Sequence, residues 1–453
     1  MSAAALSDLE GGRTVGLRLV PRYERVLGLP VGQLEAPISI LVRTFDSALL
    51  DRASTEAPVT PELVSAAAEP VARGDCSGGE WLALGTALSR EESCGVPLWL
   101  LDPWLDRLIS ELGRSVGTAY ATRYEALCRL RKGPYRGAVL RAARRALSDP
   151  HVQVLFDLMS GISEYPDAEM LEWVCDLLCD PRPNVAKGAA LALVNAAELN
   201  RVPVETWMAM RRRLVDCYND CSTTPEVHEY ASVALIALPS EVRRAISPDL
   251  STPLVRPRRL DRHGPKATNE WYLLSRDLAD QAADDGGLPD RGILTRLIFD
   301  GLFEYRETRA VTSLFLLAGI PRPEAVLVPI FEYAVSRPCG DRARQLILER
   351  LAVAQSGVAF PERPGFPDRD SPAELADYVT LVAQTGGEPP AAALARLTAA
   401  PGPFRRRALY AAGLSRSRWL DTLTRSPDSP SDLRQAAEWW QRHGGRVVDH
   451  TAR

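Results

Sequence analysis

PNVAKGAALALVNAAEL (Pro183 to Leu199) and PEVHEYASVALIAL (Pro225 to Leu238) decide the fold. Both open on Pro-x-Val, and proline suits the first turn of a helix, where its missing N–H would be unpaired anyway. Behind the first opening lie Val185, Ala189, Ala192, Leu193 and Ala196; behind the second lie Val227, Ala231, Ala234, Leu235 and Leu238. Each set keeps the same helical spacing, so it forms one face of a helix, and its small side chains let a neighbouring helix approach closely. A third opening, Pro150 to Val152, is followed by a partial version of the face, with Phe156 and Met159.

Between these openings, MLEWVCDLLCD and VETWMAMRRRLVDCY read as intervening helices. The openings lie 33 and then 42 residues apart, the scale of a two-helix repeat. The pairs resemble HEAT or armadillo repeats. That resemblance implies an α-solenoid with an extended groove for a protein or peptide partner.

The rest of the chain agrees with an all-α reading. Of 453 residues, 46% are hydrophobic and only 7% aromatic, and Ala, Leu and Arg, all good helix formers, dominate. Residues 36–132 carry apolar residues at helical spacing, residues 133–250 hold the repeats, and 269–357 and 371–445 form two further helical regions. Two proline- and arginine-rich stretches, residues 251–268 and 360–372, read as breaks. Ser371-Pro372-Ala373-Glu374 has the form of a helix N-cap with a glutamate three residues on. The expected fold is an irregular α-solenoid of HEAT-like helix pairs with a partial helix-turn-helix segment at its front.

That front segment is LSDLEGGRTVGLRLVPRYERVLGLPVGQL (Leu6 to Leu34). Ser7, Glu10, Gly12 and Arg13 match the Ser-x-x-Glu-x-Gly-Arg pattern at the end of a recognition helix; Tyr23, Val26, Leu27, Gly28 and Leu29 match the helix after it. Residues 1–35 thereby resemble the second half of the Xre-type (Cro-like) helix-turn-helix domain. The resemblance implies a transcriptional regulator that contacts DNA through a set comprising Ser2, Ser7, Arg13 and Arg18, with Arg13 on phosphate. Only Met1 to Ala5 precede the recognition helix, so the two helices that come before it in the family are expected upstream, or the head is a remnant packed on the solenoid. ATNEWYLLSRDLADQ and the helices after it look like the helical tail of some bacterial regulators with this head.

A second nucleic-acid candidate is RYEALCRLRKGPYRGAVLRAARR, which sets Arg123, Arg129, Arg131, Lys132, Arg136, Arg141, Arg144 and Arg145 against one acid, Glu125. Phosphate recognition needs such clustering, and Arg129, Arg131, Lys132 and Arg136 are its core. A solvated helix face would look the same. Arg256, Arg258, Arg259, Arg262 and Lys266 make a weaker patch. The pairs Cys175/Cys179 and Cys217/Cys221 each project from one helix face; buried, reduced thiols are the expected state, with a four-thiolate zinc site the alternative.

The formal net charge of −4 argues against a globally basic nucleic-acid coat. The five histidines form no ligand spacing, and GRSVGTAY lacks the strand and lysine of a nucleotide loop. No enzyme, metal or cofactor is therefore expected. The longest apolar runs are too short for a bilayer, which takes about 20 residues, and a cytoplasmic location is expected.

Overall fold

The computed structural model describes residues 19–44, 60–90, 96–220, 225–254, 265–286, 290–304, 306–361, 371–400 and 402–449. Among them are 24 α-helices and an isolated β-bridge between Ser115 and Val447. The chain is all-α. No helix among the described residues is long and apolar enough to cross a membrane.

Helices α1 (Val20–Val26), α2 (Glu35–Thr44) and α3 (Pro61–Arg73) come first. Five helix pairs follow. They are α4 (Gly78–Leu88) with α5 (Leu98–Leu112), α6 (Thr118–Lys132) with α7 (Arg136–Ser148), and α8 (Phe156–Ser163) with α9 (Ala168–Leu177). Next, α10 (Pro183–Glu198) is followed by the short α11 (Val204–Ala209) and by α12 (Arg211–Asp220), and last comes α13 (Pro225–Ala237) with α14 (Ser240–Ile246). Helices α4, α6, α8, α10 and α13 pack one on the next as an inner layer. Outside them, α5 packs on α7, and α9 on α12 and then α14.

The two quoted stretches are α10 and α13, and their ten face residues are all buried, none above 2% exposed. The array begins earlier than the repeat signal, at Gly78 rather than near residue 133. Its first pairs lack the Pro-x-Val opening but use the same close approach. A Cβ on Gly85 of α4 would lie 2.9 Å from the Ala126 carbonyl oxygen of α6, so only glycine lets these backbones meet. Ser77 and Glu80 form a capping box that starts α4.

The second half folds back on the first. Helices α15 (Pro265–Gly286), α16 (Arg291–Phe303), α17 (Glu307–Gly319), α18 (Glu324–Ser336) and α19 (Arg342–Val353) close around their own core, including Trp271, Ile298, Leu302 and Phe331. Then come α20 (Pro372–Thr385), α21 (Ala391–Ala399), α22 (Pro403–Leu414), α23 (Trp419–Arg425) and α24 (Ser431–His443). Ser371 and Glu374 form the expected capping box at the start of α20. Leu375, Val379, Leu409 and Trp440 of these helices share one core with Leu127 and Leu193 of the inner layer. Residues 371–443 are thus continuous with the array's core.

Because of this return, α6 is covered on every side: Ala119 to Cys128 are all buried. Phe315 packs on Tyr120 with ring centroids 5.2 Å apart, and the Gly117 amide donates to the Gln355 carbonyl at 2.6 Å. Val447 exchanges backbone hydrogen bonds with Val116 and Arg114. Further along, Arg406 of α22 pairs with Glu226 of α13 at 2.5 Å. At these points the returning chain contacts the inner layer and the loop that precedes α6.

Candidate functional site

The front segment is built into the body by one buried carboxylate. Gly28, at φ +64, ends α1 in the left-handed conformation that glycine tolerates best. The chain then turns around Glu24, only 2% exposed, whose carboxylate accepts from the amides of Gly32 (2.9 Å), Leu34 (2.7 Å) and Glu35 (2.9 Å). Those amides open α2, where a negative charge also meets the positive end of the helix. Gln33 donates to the carbonyls of Gly319 and Ile320, each at 3.4 Å, and Thr44 meets Thr312 at 3.0 Å. Helix α2 lies between α6 and α17.

Beneath α2 lies a buried ionic network. Arg43, 2% exposed, pairs with Glu125 of α6 and, at 3.4 Å, with Glu164 just beyond α8. Burial opposes the Arg43 charge, but Glu125 and Glu164 carry its pKa well above the ordinary guanidinium value. Arg129 bridges Glu125 (2.7 Å) to Glu35 (2.8 Å) and donates to Thr86. The Tyr124 hydroxyl donates to Glu164 at 3.0 Å. These carboxylates are held by cations and hydroxyls, so the network is suited to fixing α2 on the array rather than to moving protons.

A second network ties down the end of the chain. Glu111 accepts from the Trp81 indole (3.0 Å), Arg107 (2.7 Å) and Arg123 (2.8 Å). Burial raises the Glu111 pKa, but Arg123, then Arg107 and Trp81, bring it below the usual carboxylate value. Arg123 also holds Asp449 at 2.9 Å, and Asp449 in turn accepts from the Gly78 amide at 2.9 Å. On the other flank of α6, Asp157 accepts from the Tyr120 hydroxyl at 2.9 Å. Desolvation pushes its pKa up to about 6 against the hydrogen bonds from Tyr120 and Gln355.

The expected basic patch is therefore dispersed. Arg123 and Arg129 belong to the two networks, and Arg131, 1% exposed, pairs with Asp167 at 2.7 Å. Arg144 and Arg145 pair with Glu169 and Asp106. Lys132, Arg136 and Arg141 remain exposed. The partners come from distant parts of the chain, Glu35 94 residues from Arg129 and Asp449 326 residues from Arg123, so a local charge count could not find them. Ser2, Ser7, Arg13 and Arg18 lie outside the described residues, as do Arg256, Arg258, Arg259 and Arg262.

Of the paired cysteines, Cys175 is a buried, reduced thiol as expected, and Cys179 departs from that expectation. Cys175 and Cys217 are free thiols in contact, while Cys179 is disulfide-bonded. A disulfide sulfur cannot serve as a thiolate ligand, which removes Cys179 from the zinc alternative. Cys221 lies outside the described residues.

No family model matches the chain, and no curated protein matches it. Among solved structures, the crystal structure of an engineered protein is similar over 84% of this chain and 100% of its own, at 15% identity and a TM-score of 0.21. At that TM-score the likeness carries no argument about fold or function.

Proposed function

We propose that the chain is a cytoplasmic regulator of the Xre-like type, whose helical body binds a protein partner and fixes the attitude of a DNA-reading head. The observation that carries this reading is the course of residues 20–44. After the resemblance's recognition helix, the chain makes a helix, turns at Leu-Gly-Leu with Gly28 left-handed, and enters a further helix clamped on the array by Arg43 and Arg129. A head so attached would pass any shift of the body to the DNA surface. The test is fluorescence anisotropy of the full chain with labelled duplex DNA. Binding should weaken steeply between about 50 and 200 mM salt, as phosphate contacts require. It should be lost when Arg13 and Arg18 are changed to Glu. Binding that ignores salt and these substitutions, or none at all, defeats the reading.

A second reading, a helical interaction scaffold without DNA binding, is favoured by where the charge and the apolar surface lie. Arg123, Arg129 and Arg131 are engaged internally, while Val26, Leu27 and Val31 at the front are 84%, 56% and 64% exposed. Exposed apolar groups clustered in this way suit a protein contact. Under this reading DNA binding is absent, and changing Val26, Leu27 and Val31 to Ser releases a stoichiometric co-purifying partner.

A further inference from the structure

The thiols of Cys175 and Cys217 meet across the outer layer of the array. Cys175, on α9, has no exposed surface, whereas Cys217, on α12, is partly exposed. Their sulfurs are 3.6 Å apart, with the Cys175 S–H directed at Cys217. One turn further along, Cys179 lies against the backbone carbonyl of Cys217. Arg213, one turn before Cys217, holds Asp176 at 2.6 Å and lends positive charge to both thiols, against the negative charges of Asp176 and Asp216. The hydrogen bond from Cys175 brings the Cys217 thiol below its ordinary value, while the same bond and burial push Cys175 up. The two sulfurs thus differ in kind. One is half-buried and more easily ionised to the nucleophilic thiolate; the other is enclosed and harder to ionise.

We propose that Cys175 and Cys217 form a redox-active dithiol that exchanges with low-molecular-weight organic disulfides, with Cys217 attacking and Cys175 resolving. In the first step the Cys217 thiolate attacks one sulfur of R–S–S–R, forming Cys217–S–S–R and releasing RS⁻. Cys175 then gives up its proton, which the departing thiolate takes to become RSH. The Cys175 sulfur attacks the Cys217 sulfur, and the second RS⁻ leaves and is protonated by solvent with the proton Cys217 had shed. Two protein thiols are oxidised to one disulfide, and one R–S–S–R is reduced to two RSH. A disulfide bond of about 2.05 Å requires the two sulfurs, now 3.6 Å apart, to approach by about 1.5 Å.

The experiment incubates the full chain with oxidised glutathione at neutral pH, quenches with an alkylating agent and maps peptides by mass spectrometry. The wild-type protein should lose alkylation at Cys175 and Cys217 together and yield their cross-linked peptide. Cys175→Ser should stop at a glutathione adduct on Cys217, and Cys217→Ser should leave Cys175 unmodified. The wild-type cross-link is read without any variant, so its absence overturns the proposal whatever the variants do. Modification of Cys175 in a Cys217→Ser protein with wild-type helicity overturns the assignment of roles, as does a Cys175→Ser protein of wild-type helicity that forms no adduct on Cys217.

Discussion

Replacing Arg43 with Met keeps most of the side-chain length and removes the charge. In the native protein Arg43 joins Glu125 and Glu164, whose side chains are 3% and 8% exposed. Glu125 would keep Arg129 at 2.7 Å, but Glu164 would keep only the Tyr124 hydroxyl at 3.0 Å. One buried carboxylate would lose its cation. Breaking a buried pair from one side typically costs about 3–5 kcal/mol, because the remaining charge stays desolvated. Adding Glu164→Gln removes that charge while keeping an acceptor for Tyr124, and should recover about 1–3 kcal/mol. The assay is denaturant unfolding of the wild type, Arg43→Met, Glu164→Gln and the double variant, compared at equal slope. A cost for Arg43→Met below about 1 kcal/mol, or single effects that add within about 0.5 kcal/mol, would refute the view of this network as a coupled clamp.

Other outcomes follow from the same geometry. Asp157 has a folded pKa of about 6, above its unfolded value of about 3.9, so the stability linked to it is full below that lower value and is lost as pH rises through 6. Asp157→Asn should remove this part of the pH dependence, on the order of 1–2 kcal/mol given the partial exposure of Asp157, in thermal melts across pH 4–8. Glu111 works in the opposite sense: its lowered pKa gives stability present above the unfolded value and lost as acid titrates it, so Glu111→Gln should destabilise at neutral pH and lose that penalty in acid. A Cβ on Gly413 would lie 1.9 Å from the Trp440 ring, so Gly413→Ala should cost about 1–3 kcal/mol or more. Gly137→Ala meets only the far end of Arg141, 3.8 Å away, and should be neutral or stabilise by up to about 1 kcal/mol in the same melts.

Helices α10 and α13 could be read directly because Pro-x-Val and an alanine-rich face state both their start and their buried side. The first two pairs could not be read as part of the array, because α6 buries Tyr, Thr, Arg and Glu beside its apolar residues. Such a helix looks solvated until its partners arrive, and those partners, Glu35, Asp167 and Asp449 among them, lie elsewhere in the chain. The same distance hid the return of α20 to α24 onto the array, which the shared core and the Arg406–Glu226 pair reveal. In the front segment Leu-Gly-Leu was legible only through the pattern of the resembled family, and in the structure Gly28 takes the left-handed conformation there. The role of Glu24 was not, since nothing local distinguishes a glutamate that caps the next helix from one facing water. The cysteine spacing predicted one helix face for each pair, but Cys179 lies beyond the end of α9, and the spacing could not tell that Cys175 faces Cys217.

Helix α6 is enclosed within the described residues, with α2 clamped on it. Hydrogen–deuterium exchange of the full chain, resolved to peptides, tests this most directly. Amides of residues 119–128 and 38–43 should be among the slowest to exchange, slower than those of α3, most of whose residues face solvent. Exchange of α2 and α6 as fast as that of α3 would contradict it.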